Sequence, residues 1–148
     1  MLTLMLTWTL TQMPSFSQKS NDRLKTCSYN WQVIMNEVIK NYDCTILEGH
    51  RGEVRQNMLF DTKKSQVKWP DGMHNSYPSK AVDIAPYPIP ENWGADHWKD
   101  LVHFYELATV IKFVAAQKGI PIRWGGDWDG DGDYKDNKFE DLVHYELM

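Results

Sequence analysis

Two histidines and an aspartate, His74, Asp83 and His144, are the residue types that hold zinc. Imidazole nitrogens and carboxylate oxygens are ordinary zinc donors, and three protein ligands leave a further position for water. An ion held that way activates water near neutral pH. Asp141 precedes His144 by three residues and is placed to take that water's proton. Residues three apart in an extended segment face opposite sides, so a tight turn at Leu142-Val143 is expected to bring both side chains to one site. The chemistry implied is zinc-dependent hydrolysis.

The elements that must position these residues can be read from periodicity and turn signals. Ser20 is expected to cap a short helix over Asn21 to Thr26. Trp31, Ile34, Met35, Val38 and Ile39 recur at helical spacing and mark a helix from Trp31 to Asn41. Cys44 to Leu47 reads as a strand, and a helix follows from Glu53 to Phe60. Asp61 to Lys80 lacks periodicity, carries the turn signal Trp69-Pro70-Asp71-Gly72 and leads into His74, so it reads as a functional loop. Ala81 to Ala85 is a strand that delivers Asp83. The longest helix opens at Ala95 or Asp96 and runs to Gln117, with Leu101, Val102, Tyr105, Ala108, Ile111 and Ala115 as its core stripe and Gly119 as its stop. Ile120 to Trp124 and Val143 to Leu147 are strands on either side of a Gly/Asp loop from Gly125 to Lys138. The expected class is α+β, a small, mainly antiparallel sheet flanked by helices, with zinc on the sheet face.

At 148 residues the chain is long enough for one core, and 24% charged with 13% aromatic residues describes a globular protein. A net charge of -4, with Lys and Arg scattered, argues against a nucleic-acid partner. Cys27 and Cys44 are too few for a disulfide scaffold and read as buried thiols of a protein folded in a reducing cytoplasm. The apolar run Met1 to Gln12 is too short to span a bilayer and has no charged leader, so residues 1-13 read as an N-terminal extension ahead of a start at Met13, with the working domain at 14-148. No stable membrane insertion is expected.

Taken in order, Glu48-Gly49-His50-Arg51, His74, Ser79-Lys80-Ala81-Val82-Asp83-Ile84, Trp124-Gly125-Gly126-Asp127-Trp128 and Asp141-x-x-His144-x-Glu146-Leu147 resemble the M15 zinc peptidases, whose fold is Hedgehog-like. That family includes D-Ala-D-Ala carboxypeptidases and dipeptidases, and phage endolysins that cut the L-Ala–D-Glu bond. The resemblance runs from Phe16 to Met148 and is closest to the single-domain phage branch. It implies His74, Asp83 and His144 as zinc ligands, Asp141 as general acid and base, and Arg51 as the group that polarises the scissile carbonyl. The gap from His74 to Asp83 is wider than the family's usual one, and His50 is the nearby substitute for the first ligand. Arg55 competes with Arg51, and Glu140 with Asp141. Gln56 is expected to support the site, Ser79 to orient the Asp83 strand or touch substrate, and Trp124 and Trp128 to wall the substrate groove. His97 and His103 read as surface or packing residues.

The implied function is a phage-type endolysin, a monomer acting on the peptidoglycan stem peptide, held in the host bacterial cytoplasm and released to the wall at lysis. The alternatives are a D-Ala-D-Ala carboxypeptidase and a non-catalytic metal-binding module on the same fold. A second cation site is open at Asp127, Asp129, Asp131 and Asp133, whose alternating carboxylates suit calcium. The other reading of that run is an acidic solvated turn.

Overall fold

The structure is a computed structural model and describes residues 13–91, 98–137 and 140–148. The extension at Met1 to Gln12, the expected helix start at Ala95 or Asp96, His97 and the loop end at Lys138 lie outside the described residues. Helix α1 spans Gln18–Leu24 and α2 spans Tyr29–Val38. Strand β1 (Cys44–Glu48) follows, then α3 (Glu53–Asp61), β2 (Ala81–Pro86), α4 (Trp98–Gln117), β3 (Ile122–Gly125) and β4 (Asp141–Leu147). The four strands form one antiparallel sheet in the order β1-β2-β4-β3. The α+β expectation therefore holds.

Helix α2 buries the expected stripe, with Trp31, Ile34, Met35 and Val38 in the core. The Trp31 indole donates to the Lys80 carbonyl at 2.9 Å, which ties α2 to the start of β2. Two local readings change. Ser17, not Ser20, caps α1, accepting from the Ser20 amide at 3.1 Å. Ser20 is instead buried against β1, bonded to Thr45 Oγ1 at 3.0 Å and to the Ile46 amide at 3.1 Å. On α4 the buried face is Phe104, Leu107, Ala108, Ile111, Val114 and Ala115. Leu101, Val102 and Tyr105 are only partly buried, so the core stripe is centred on Phe104, Leu107 and Ile111. Gly119, with φ of 67°, closes the helix as expected.

The sheet has two working faces. Val82, Ile84, Tyr145 and Trp124 join the core with α2 and α4. Asp83 lies opposite His144 on β4, so their side chains share the other face. On the β1 side, Ile46 pairs with Ile84 but Glu48 pairs with Asp83, so Leu47 is an extra residue in a β-bulge. Without it, strand alternation would turn Glu48 toward the core. Glu48, Asp83 and His144 thus form one row across three strands.

A larger irregularity starts β4. Trp124 pairs with Tyr145, yet the next residue, Gly125, pairs with Asp141. The expected tight turn at Leu142-Val143 is this bulge within a continuous strand. It uncouples Asp141 from simple alternation and lets it share a cavity with His144. Gly125 makes it possible, since a Cβ there would overlap the Asp141 carbonyl oxygen. Burial pushes the thiols of Cys27 and Cys44 up to about 12, and both cysteines are free, so neither is a nucleophile at neutral pH. Gly125→Ala is expected to destabilise the fold by about 1–3 kcal/mol through overpacking. Thermal melting of the variant beside the wild type checks this; an unchanged melting temperature would show that the bulge tolerates a side chain.

Candidate metal centre and active-site cavity

His74, Asp83 and His144 come together at one end of the sheet face. His74 Nε2 lies 3.1 Å from Asp83 Oδ1 and 3.2 Å from His144 Nδ1, and His144 Nδ1 lies 3.2 Å from Asp83 Oδ1. Asp83 and His144 come from paired strands. His74 comes from the long loop, where the Arg51 amide donates to its carbonyl at 2.8 Å and the Asn75 amide bonds Gly72 at 2.9 Å. The wide spacing from His74 to Asp83 is absorbed by turns over residues 75–80, and His74 still reaches the strand face. His50 does not replace it: its Nδ1 bonds the Ser76 carbonyl at 2.9 Å and its ring packs on Tyr77.

The outward hydrogen bonds decide what the three inward atoms are. His74 Nδ1 donates to the Gly49 carbonyl at 2.7 Å, which leaves Nε2 as a bare lone pair. His144 Nε2 donates to Glu146 Oε2 at 3.0 Å, which leaves Nδ1 bare. Burial would raise Glu146, but His144 and Arg123 bring it below the usual carboxylate range, so it is an acceptor. In those tautomers two lone pairs and a carboxylate oxygen converge, an arrangement that calls for a cation, whether a metal ion or a proton. A tetrahedral ion with bonds of about 2.0–2.1 Å keeps its donors about 3.3 Å apart, close to the observed triangle. The residues fit zinc, with the outer partners that orient metal-bound histidines.

The electrostatics agree. Burial opposes the charge on Asp83, but His74 and His144 outweigh it and hold the carboxyl well below its usual range. Burial would lower His144, yet its bonds to Asp83 and Glu146 raise it to about 9, so without an ion a proton takes the cation's place.

Arg51 borders the triad. Its Nη2 donates to Glu48 Oε2 at 2.8 Å and lies 3.5 Å from Asp83 Oδ2, and its Nη1 donates to Gln56 Oε1 at 3.1 Å. Gln56 is the one buried residue of α3. Its Oε1 also accepts from Asn75 Nδ2 at 3.0 Å, and its Nε2 donates to Ser65 Oγ at 2.9 Å and the Val67 carbonyl at 2.5 Å. One saturated amide thus ties α3, the long loop and Arg51 together.

These residues line a cavity of about 540 Å³ that also contains Asp141, Trp128, Arg55, Arg123 and Glu146. Burial, and then the charge of Asp83, raise Asp141 above the usual carboxylate range, while His144, His74 and Arg51 pull the other way. Glu140 is exposed and does not line the cavity. Trp128 is a wall, its ring 5.7 Å from that of His144. Two expected groove residues are not. Trp124 is 0% exposed, its indole donating to the Leu142 carbonyl at 2.9 Å, because its side of β3 faces the core. Ser79 is also 0% exposed; its hydroxyl donates to the Ala81 carbonyl at 2.6 Å, so it shapes the entry to β2 and does not reach the cavity. His103 is exposed and pairs with Glu106.

Sequence reasoning passed over Glu48, Asn75, Arg123 and Glu146 as working parts. Glu146 carried a signal, since residues two apart on a strand share a face and His144-x-Glu146 is such a pair. In the acidic loop, Asp127, Asp129 and Asp131 offer oxygens within 4.8 Å of one another, and Asp133 is not among them. Asp133 Oδ1 instead accepts from the Lys135 amide at 2.9 Å.

His74→Ala, Asp83→Ala and His144→Ala are each expected to abolish tight zinc binding. Glu146→Gln, which keeps all three ligands, should weaken it by about 10–100-fold. Chelator competition and atomic absorption on the purified variants check this; full zinc in His74→Ala would remove that residue from the centre.

A sequence model of the phage L-alanyl-D-glutamate peptidase family matches residues 13–148. The chain is similar to the L-alanyl-D-glutamate peptidase of Escherichia phage T5, 28% identical over 123 residues, covering 82% of this chain and 86% of that protein. Its fold resembles the crystal structure of the Serratia marcescens L-Ala D-Glu endopeptidase ChiX, with a TM-score of 0.69 at 19% identity over 93% of this chain and 92% of that one. With nearly its whole length matched by the family and its fold matched by a solved endopeptidase, the chain belongs to the phage L-alanyl-D-glutamate peptidases.

Proposed function

We propose that the chain is a zinc-dependent peptidoglycan endopeptidase that hydrolyses the L-Ala–D-Glu bond of the stem peptide. The observation that carries this reading is the convergence of two imidazole nitrogens and a carboxylate oxygen beside a carboxyl of raised pKa in one open cavity. Family membership supports the bond assignment. His74, Asp83 and His144 would hold the ion, which when bound supplies Lewis acidity that activates water and polarises the carbonyl.

Asp141 takes the proton of the attacking water as the oxygen bonds to the L-Ala carbonyl carbon. Arg51 donates to the carbonyl oxygen as negative charge develops; its guanidinium is already held in place by Glu48 and Gln56, so little reorganisation is needed. The C–N bond then breaks, and Asp141 passes the proton to the departing D-Glu nitrogen. A carboxyl with a raised pKa suits both halves of this transfer. Trp128 walls the groove.

Among the described residues no helix is long and apolar enough to cross a membrane. We assign the resting place of the enzyme to the host cytoplasm, as a monomer, with access to the wall at lysis. Calcium is assigned to the acidic loop. The fit rests on Asp127, whose Oδ2 meets Lys112 Nζ at 3.2 Å and whose buried Oδ1 has no hydrogen-bond partner among the described residues, next to the carboxylates of Asp129 and Asp131. Slight desolvation and then the charges of Asp131, Asp129 and Asp133 raise Asp136, a repulsion that a cation would relieve.

Digestion of purified peptidoglycan followed by mass spectrometry of the new termini is expected to give N-terminal D-Glu; release of D-Ala would instead identify a carboxypeptidase. Asp141→Asn should keep zinc and lose at least ~100-fold in turnover. The sign of its stability effect is also set. A carboxyl whose folded pKa is raised stabilises the fold when protonated at low pH and loses that contribution as pH rises through the raised value. At neutral pH, Asp141→Asn should therefore raise the melting temperature of the metal-free protein, and a fall would contradict the assignment. Calcium should give saturable heat in calorimetry and raise the melting temperature, with magnesium at matched ionic strength giving neither. Absence of both effects would leave the loop as an acidic turn.

A further inference from the structure

Glu48 is a single carboxylate shared by two guanidinium groups. Its Oε2 accepts from Arg51 Nη2 at 2.8 Å and from Arg55 Nη2 at 3.3 Å, and its Oε1 accepts from Arg55 Nε. Glu48 sets one negative charge against two positive charges, and Asp83, which Arg51 also approaches at 3.5 Å, would be matched by the ion of its own site, so with that ion bound this side of the cavity is a net cation. The opposite side differs: Arg123 is neutralised by Glu146, and Asp141 adds a further negative charge. The cavity is therefore polarised, positive toward α3 and negative toward β4.

The two arginines are not equivalent. Arg51 is largely buried and its Nη atoms are committed to Gln56, Glu48 and Asp83. Arg55 is 53% exposed, and among the described residues its hydrogen bonds run from Nε and Nη2 to Glu48, with none from Nη1. Its anchor Glu48 sits one strand spacing beyond Asp83 along the Glu48–Asp83–His144 row, about 5 Å by sheet geometry, and Arg55 reaches that carboxylate from α3. It also lines a second hollow of about 580 Å³, together with Lys19, Arg23, Asp22 and Glu48.

The proposed substrate is asymmetric in the matching way. Before the scissile bond stand L-Ala and a neutral lactyl group. After it, the D-Glu residue is linked onward through its γ-carboxyl and carries a free α-carboxylate three bonds from the reacting carbon. Resting on the endopeptidase reading above, we infer that Arg55 is a specificity-determining residue that binds this α-carboxylate. The anionic, leaving half of the stem peptide then lies toward α3, and the neutral half lies toward Trp128. A planar guanidinium with a free edge suits a carboxylate, and Glu48 keeps it from folding away.

The test compares two synthetic peptides, identical except that the D-Glu α-carboxyl is free in one and amidated in the other. Wild-type enzyme, zinc-loaded, is expected to favour the free acid in kcat/KM by ~10-fold or more, the scale of one charge-assisted hydrogen-bonded pair. Arg55→Gln should collapse that preference, and Arg55→Lys, which keeps the charge without the fork, should recover part of it. Zinc content of each variant confirms an intact centre. A wild type with no preference, an Arg55→Gln enzyme that keeps it, or loss of the preference in Arg123→Gln instead would overturn the proposal. Cleavage of neither peptide by wild type, or cleavage elsewhere in them, contradicts the endopeptidase reading itself and takes this one with it.

Discussion

Two imidazole nitrogens and a carboxylate oxygen brought within 3.1–3.2 Å of one another are the constraint on which the rest of this structure depends. His74 Nε2, His144 Nδ1 and Asp83 Oδ1 would repel one another if nothing positive lay among them. The Gly49 carbonyl and the Glu146 carboxylate keep them that way by claiming the protons on the far side of each ring. The supports are themselves braced. Arg123 holds Glu146, and Gly49 is pressed against Thr26 and Cys27 so closely that a Cβ would overlap them. Packing at the end of α1 is thereby coupled to the tautomer of a histidine on a distant loop.

The sheet solves a problem of parity. A regular strand offers alternate residues to a face, yet the site needs Glu48 beside Asp83 and Asp141 beside His144. Each requirement breaks alternation, and each is met by an irregularity in the ladder, at Leu47 and at the start of β4. The core face stays regular, with Ile46 against Ile84 and Trp124 against Tyr145. Stability is drawn from one face and chemistry from the other. The cost of the chemistry is visible in Asp141, a buried carboxyl kept near other negative charge.

Much of this was legible in the residues. The α2 stripe is set by large apolar side chains at helical spacing and needs no tertiary information. The meeting of His74, Asp83 and His144 was legible because the motifs kept their order along the chain. What was hidden depends on three dimensions. No local signal says that Trp124 faces inward while Trp128, four residues on, faces the cavity; the ladder with β4 decides it. The bulge at Asp141 reads as a turn because a pairing jump against Gly125 has no sequence period. Ser79 sits among functional residues and looks functional, but its hydroxyl is consumed by its own backbone neighbour. Ser20 looks like a cap because capping serines and buried serines are the same residue, and only the approach of β1 separates them.

His74, Asp83 and His144 are proposed to form the first coordination sphere of zinc. X-ray absorption at the zinc edge, on protein loaded with one equivalent, tests it most directly. The structure predicts a first shell of nitrogen and oxygen only, at about 2.0–2.1 Å, with the outer-shell scattering of two imidazole rings. A sulfur scatterer at about 2.3 Å would place the ion at Cys27 or Cys44 and contradict the account. So would a first shell without imidazole, which would move it to the acidic loop.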